Sequence, residues 1–80
     1  MRSDDYDKFY DWLIHHEKLS KSFAGSIVSH VKRLVEYGVP LDEDIVRSIL
    51  WKESKYMRRN YVNAVRRYKR YLEWVEDDKK

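Results

Sequence analysis

Eighty residues, a net charge of +3 and no cysteine bound the chain to one small domain, which has to be held by packing, since neither disulfides nor thiolate metal sites are possible. Two Phe, three Trp and seven Tyr supply large side chains for that packing. No apolar run approaches the ~18 residues of a membrane span, and the opening MRSDDYDKFY is too acidic and polar for a signal peptide, so the expectation is an intracellular chain with no membrane partner.

Hydrophobic spacing predicts an all-α fold: one compact four-helix bundle over residues 1–80, ordered roughly from 4 to 76, with a long basic last helix and no strand. The first helix is expected to be capped near Asp4 or Asp5 and to run to about Lys18, with Phe9, Trp12, Leu13 and His16 on one face. Leu19-Ser20 punctuates, and Ser20 suits the N-cap of a second helix reaching Tyr37. Its inner stripe reads Phe23, Ile27, Val31, Leu34 and Val35. Gly38 stands where a left-handed C-terminal cap belongs, and Pro40 blocks continuation. Asp42 can cap a short third helix to about Trp51 that buries Ile45, Ile49 and Leu50. Ser54 can cap the fourth, expected to reach about Glu76 before a frayed EDDKK end.

Charge is distributed unevenly. Residues 52–72 hold Lys52, Lys55, Arg58, Arg59, Arg66, Arg67, Lys69 and Arg70 against Glu53 alone, and no acid occurs between Ser54 and Leu72. Tyr61, Ala64, Tyr68 and Leu72 recur at helical spacing and should point inward. Lys55, Arg59, Asn63, Arg66 and Arg70 fall on an adjoining or opposite face, which Arg58, Arg67 and Lys69 widen. Local i, i+4 acids would make such a face ordinary solvated surface, but none are present before Glu73. A cation row of this kind suits phosphates, and an Asn among arginines suits a base edge. The start of the second helix, Ser20-Lys21-Ser22, adds hydroxyls, free amides and a cation at a positive dipole end. Lys32, Arg33 and Lys52 would add charge without specificity, and Tyr56 is expected to cover the core.

Catalytic chemistry has little to build on. His15-His16-Glu17 lacks the order of a helical zinc site, and His16 is expected to be partly buried while His15 and His30 are exposed. The serines have no Asp/His frame, and Gly25 and Gly38 cannot form a glycine-rich phosphate loop. No metal, no cofactor and no autonomous enzymatic activity are expected. Trp51, Trp74 and Tyr71 exceed what so small a core easily covers, which leaves a helical protein–protein interaction module as the alternative.

Three segments resemble a known pattern: FYDWL at 9–13, LSKSFAGSIVSHVKRL at 19–34 and NAVRRYKRYLEW at 63–74. In order and spacing they are similar to the N-terminal core-binding domain of tyrosine recombinases (phage-type and Xer-like integrases), a four-helix SAM-like bundle. The resemblance spans about Tyr6 to Trp74. It departs at Phe23, where the family often has Thr, and at Ile27, where it often has Tyr. The resemblance implies duplex DNA as partner, gripped by the second and fourth helices, with a separate catalytic recombinase domain or a neighbouring protomer close by. Carried over by position, Ser20, Lys21 and Ser22 would touch backbone, while Lys55, Arg59, Asn63 and Arg66 would approach the groove. Arg58, Arg67 and Arg70 would flank as phosphate contacts. The recombinase nucleophile belongs to that other domain, so none of the seven tyrosines is expected to fill that role.

Overall fold

Helix punctuation in the sequence sets the architecture. In the computed structural model, which describes residues 3–78, the order is α1 (Ser3–His15), α2 (Lys21–Glu36), α3 (Glu43–Ile49) and α4 (Lys55–Asp78), with no strand among the described residues. The result is a compact four-helix bundle, as expected from the apolar spacing.

Each boundary has a local cause. Ser20 is extended (φ −67°, ψ 155°) and its hydroxyl accepts from the Phe23 amide at 3.2 Å, closing the start of α2. At the other end Gly38 adopts φ 71°, its amide donates to Val35 O, and the Val39 amide donates to Leu34 O at 2.9 Å. That is a Schellman cap, and Val39 packs in the same apolar cluster as Leu34. Asp42 Oδ1 accepts from the Asp44 and Ile45 amides, and Ser54 Oγ from the Met57 amide at 3.1 Å, starting α3 and α4. Ser20→Ala should lower stability by about 1 kcal/mol, a melting-temperature fall of about 4–8 °C in a circular-dichroism scan.

Four boundaries differ from expectation, one being the end of α3 at Ile49 rather than about Trp51. The first helix already includes Asp4 and Asp5, so these lie in its first turn rather than at its cap, and it ends at His15 rather than near Lys18. Lys18 leaves the helical region at φ 60° while the Leu19 amide returns to Leu13 O at 3.1 Å. This left-handed kink by a non-glycine residue turns the chain sharply into α2. The last helix runs to Asp78, past the expected Glu76; Lys79 and Lys80 lie outside the described residues.

Helix α4 is the central element. Twenty-four residues at ~1.5 Å rise give about 36 Å, close to the 39 Å long axis of the molecule, and α4 packs against each of the other three helices. One apolar cluster joins α1, α2 and α4 through Phe9, Trp12, Leu13, Ile27, Val31 and Tyr68. A second joins Leu34, Val46, Tyr61, Val62 and Val65, seating α3. Phe9 is completely buried, edge-on to Tyr68 at 5.1 Å and 5.3 Å from Tyr71. Burial pushes the Tyr68 and Tyr71 phenols above their ordinary pKa, so both stay neutral at any physiological pH.

Several side chains expected inside lie outside. Phe23 is 49% exposed because it sits one turn beyond Ile27, at the free end of α2. Leu72 is 44% exposed: at this level α4 packs on α1 through Tyr71 and Val75, and Leu72 falls beside that contact. In α3 the seven-residue helix buries Val46 instead of Ile45 and Ile49, with Leu50 half-buried. Tyr71 is buried, whereas Trp51 and Trp74 stay exposed. His16 is exposed and His30 half-buried, the reverse of expectation. His30 donates from Nδ1 to Ser26 O at 2.5 Å and meets the Tyr61 ring edge-on, which holds it against the bundle.

Candidate nucleic-acid interface

The apolar stripe of α4 fixes which residues face out. With Tyr61, Ala64, Val65 and Tyr68 buried, Lys55, Arg59, Arg66 and Arg70 are exposed on the opposite side and Asn63 lies half-buried among them. Arg58 and Arg67 flank the strip, both half-buried. This is the arrangement expected from the spacing.

The strip does not lack acids, however. Arg66 Nε donates to Glu43 Oε1 at 2.6 Å, and Lys69 Nζ lies 3.9 Å from Asp42 Oδ2. Glu17, from the turn after α1, takes Arg67 Nη1 at 3.3 Å and Arg70 Nη1 at 3.2 Å on one carboxylate oxygen. These partners are remote in sequence: Glu17 is 50 residues from Arg67 and 53 from Arg70. Glu17 is largely enclosed, and two arginines on its carboxylate fasten α4 to the α1–α2 turn. The Arg66–Glu43 pair is open to solvent and contributes at most about 1 kcal/mol. Among the described residues Lys55, Arg58 and Arg59 form no ion pair, so the first two turns of α4 hold the uncompensated charge.

The two parts of the expected site meet. Arg67 lies over the Phe23 ring, 5.8 Å from its centroid, which sets the start of α2 beside the middle of α4. Lys21 and Ser22 are exposed there; Ser20 is exposed too, but its hydroxyl is already occupied by the Phe23 amide. Between these helices runs a cleft of about 240 Å³ lined by Phe23, Ser26, His30, Tyr56, Asn60 and Asn63. Tyr56 is 75% exposed on its rim and does not cover the core. Asn63 also lines a second cleft of about 390 Å³ with Arg47, Lys55, Arg58, Arg59 and Arg66. It is therefore the residue at which the polar and the cationic halves join.

Sequence reading missed Arg47, Ser26, His30 and Asn60. Arg47 sits in an acidic stretch with Asp42, Glu43 and Asp44, which hides its contribution to a basic face. Ser26 and His30 are i, i+4 on α2, and with Ser22 they mark the face next to the buried Ile27 stripe, a signal legible in principle.

Taken together, the surface offers guanidinium and ammonium donors along some four turns of helix, amide groups of Asn60 and Asn63, and aromatic rings at Phe23 and Tyr56. Among the described residues no three His, Asp or Glu side chains come together in a group that could hold a metal ion, and no helix is long and apolar enough to cross a membrane. Comparison with known proteins finds no matching family model, no similar curated protein and no similar solved structure.

Proposed function

We propose that the chain is a non-catalytic DNA-binding module, similar in role to the core-binding domain of a tyrosine recombinase, that grips duplex DNA through α2 and α4. The observation that carries this reading is the exposed cation strip of α4, its first two turns free of acids, placed beside the α2 start by the Arg67–Phe23 contact. Lys55, Arg58, Arg59, Arg66, Arg67 and Arg70 then meet phosphates, Lys21 and Ser22 reach the backbone, and Asn63 addresses a base edge. Ser20 acts through the cap it makes. The module works inside the cell, on DNA, with a recombinase catalytic domain or a neighbouring protomer as the second partner.

An NMR titration of the labelled chain with a short duplex at two salt concentrations tests this. Shifts confined to residues 20–24 and 55–70 that weaken with salt are expected. With about 4–6 phosphates neutralised, the log–log salt slope should be about −4 to −5. Absence of shifts at low salt sinks the proposal.

The internal acids give a second handle. A phosphate at Arg66 has to displace or tolerate the Glu43 carboxylate. Glu43→Gln should therefore tighten duplex binding about 2–5-fold at low salt, a gain of about 0.5–1 kcal/mol. Fluorescence anisotropy reads this directly, and unchanged affinity would place Arg66 away from the duplex.

One observation favours a rival reading as a protein-interaction module. Ile49, Met57, Val39 and Leu50 line an apolar cleft of about 320 Å³ rimmed by Tyr37, which is 77% exposed, and Trp51 is 63% exposed. Association that grows with concentration and persists in high salt, measured by sedimentation, would favour this reading over the first.

A further inference from the structure

Cations from two helices converge where α3 gives way to α4. Arg47 comes from α3; Lys55, Arg58, Arg59 and Arg66 come from α4; Val62 and Asn63 complete the wall of a cleft of about 390 Å³. That volume lies within the ~300–1,000 Å³ range of small-ligand pockets. Among the described residues, two of the five cations have acid partners: Arg66 binds Glu43, and Arg47 reaches Asp44 at 3.8 Å, whose carboxylate is almost fully exposed. Arg58 is the most informative of the rest. Its Nε is buried and has no hydrogen-bond partner, an unfavourable state for a charged donor unless an acceptor enters. The first turn of α4 carries no Asp or Glu and presents the positive end of a 24-residue helix, and the acids nearest the cleft, Glu43 and Asp44, are engaged by Arg66 and Arg47.

We propose that this cleft is a phosphate-binding pocket, in which Arg58 donates from its buried Nε and Arg47, Lys55 and Arg59 close around the anion. Planar guanidinium groups approaching from two helices match the several oxygens of a phosphate better than a single row of cations does. The pocket gives the α4 strip a fixed point, and it brings in Arg47, which lies on neither α2 nor α4. As the anchor for a duplex backbone the pocket rests on the nucleic-acid reading; as a site for a free polyphosphate it does not. The shared chemistry is the phosphate group.

The test follows the arginine Nε–Hε signals of the isotopically labelled chain during titration with tripolyphosphate at constant ionic strength. Saturable movement of the Arg58 signal is expected, with affinity falling at least 5-fold in Arg47→Gln and in Arg58→Gln but less than 2-fold in Lys32→Gln, which removes one charge from α2 outside the cleft. An unmoved Arg58 signal, or equal loss in all three variants, overturns the pocket. Should Arg58→Gln fail to fold, the exposed Arg47→Gln carries the comparison. A parallel titration with a short duplex separates the sources. Duplex binding that weakens at least 5-fold in the cleft variants and is competed by tripolyphosphate assigns the pocket to backbone phosphate. Tripolyphosphate binding with no duplex binding by the unmodified chain supports the pocket for a free anion and sinks the nucleic-acid reading. Duplex binding indifferent to Arg47→Gln and Arg58→Gln overturns the pocket and leaves that reading intact.

Discussion

Phe9→Ala is expected to lower the melting temperature by roughly 12–40 °C. Truncating a buried Phe costs about 3–5 kcal/mol, and each kcal/mol moves the midpoint of a domain this size by about 4–8 °C. Phe9 has no exposed surface and touches three rings at once: Trp12, stacked at 6.4 Å, and the Tyr68 and Tyr71 rings of α4. Each such aromatic pair contributes about 0.5–1.5 kcal/mol beyond burial. The cavity left behind cannot collapse easily, because Leu13 and Val31 are already fully buried in the same region. Against a total stability of about 5–15 kcal/mol, the variant should be partly unfolded at 37 °C. A thermal scan by circular dichroism checks this, and a fall of less than about 5 °C would show that α4 is held mainly by α2 and α3 rather than through Phe9.

The elements legible in the sequence are those fixed by local chemistry. Ser20, Gly38, Asp42 and Ser54 each satisfy or terminate a helix end within a few residues of themselves, so their roles need no knowledge of the rest of the fold. The inner stripes of α2 and α4 were legible at their centres for the same reason: Ile27, Val31, Leu34, Tyr61, Ala64 and Tyr68 repeat at helical spacing and are all buried. Periodicity fails at the ends of helices, where a residue of the right phase has nothing opposite it, as Phe23 shows, and where the covering partner changes, as at Leu72, beside which Tyr71 and Val75 turn onto α1. It fails too in α3, where seven residues present only one line to α4 and the sequence offers several apolar candidates for it.

The candidate site was legible in part for a related reason. Helix phase alone places Lys55, Arg59, Asn63, Arg66 and Arg70 on one face. Which of those cations are neutralised depends on residues far away in the chain, and a count of acids within four positions says nothing about Glu17 or Glu43. The correction matters for function. Arg66, Arg67 and Arg70 are held by carboxylates and present preset geometry, whereas Lys55, Arg58 and Arg59 are the groups free to meet an anion without breaking anything. Binding strength should thus concentrate in the first half of α4.

Replacing Arg59 and Arg66 together with alanine is expected to weaken duplex binding roughly 30-fold while the helical fold persists. An exposed cation–phosphate pair contributes about 1 kcal/mol, and two of them together amount to about 2 kcal/mol, or roughly that factor in affinity. The two substitutions act differently. Arg59 has no ion pair among the described residues, so its removal takes away a phosphate partner and no ion pair from the fold. Removing Arg66 also frees the Glu43 carboxylate, which then stands beside the approaching phosphates and repels them. Each cation removed should reduce the salt slope by about one, so the double variant should fall from about −4 or −5 to about −2 or −3. Both cations are exposed, and the fold gives up only the solvent-open Arg66–Glu43 ion pair, so the melting temperature should move by no more than about 8 °C. Anisotropy titrations across a salt series, beside a circular-dichroism scan of the same sample, measure all three quantities. A folded double variant that keeps its affinity and its slope would remove the Arg59 and Arg66 face of α4 from the interface and leave the contact to the remaining cations, Lys55 and Arg58 on α4 and Lys21 at the start of α2.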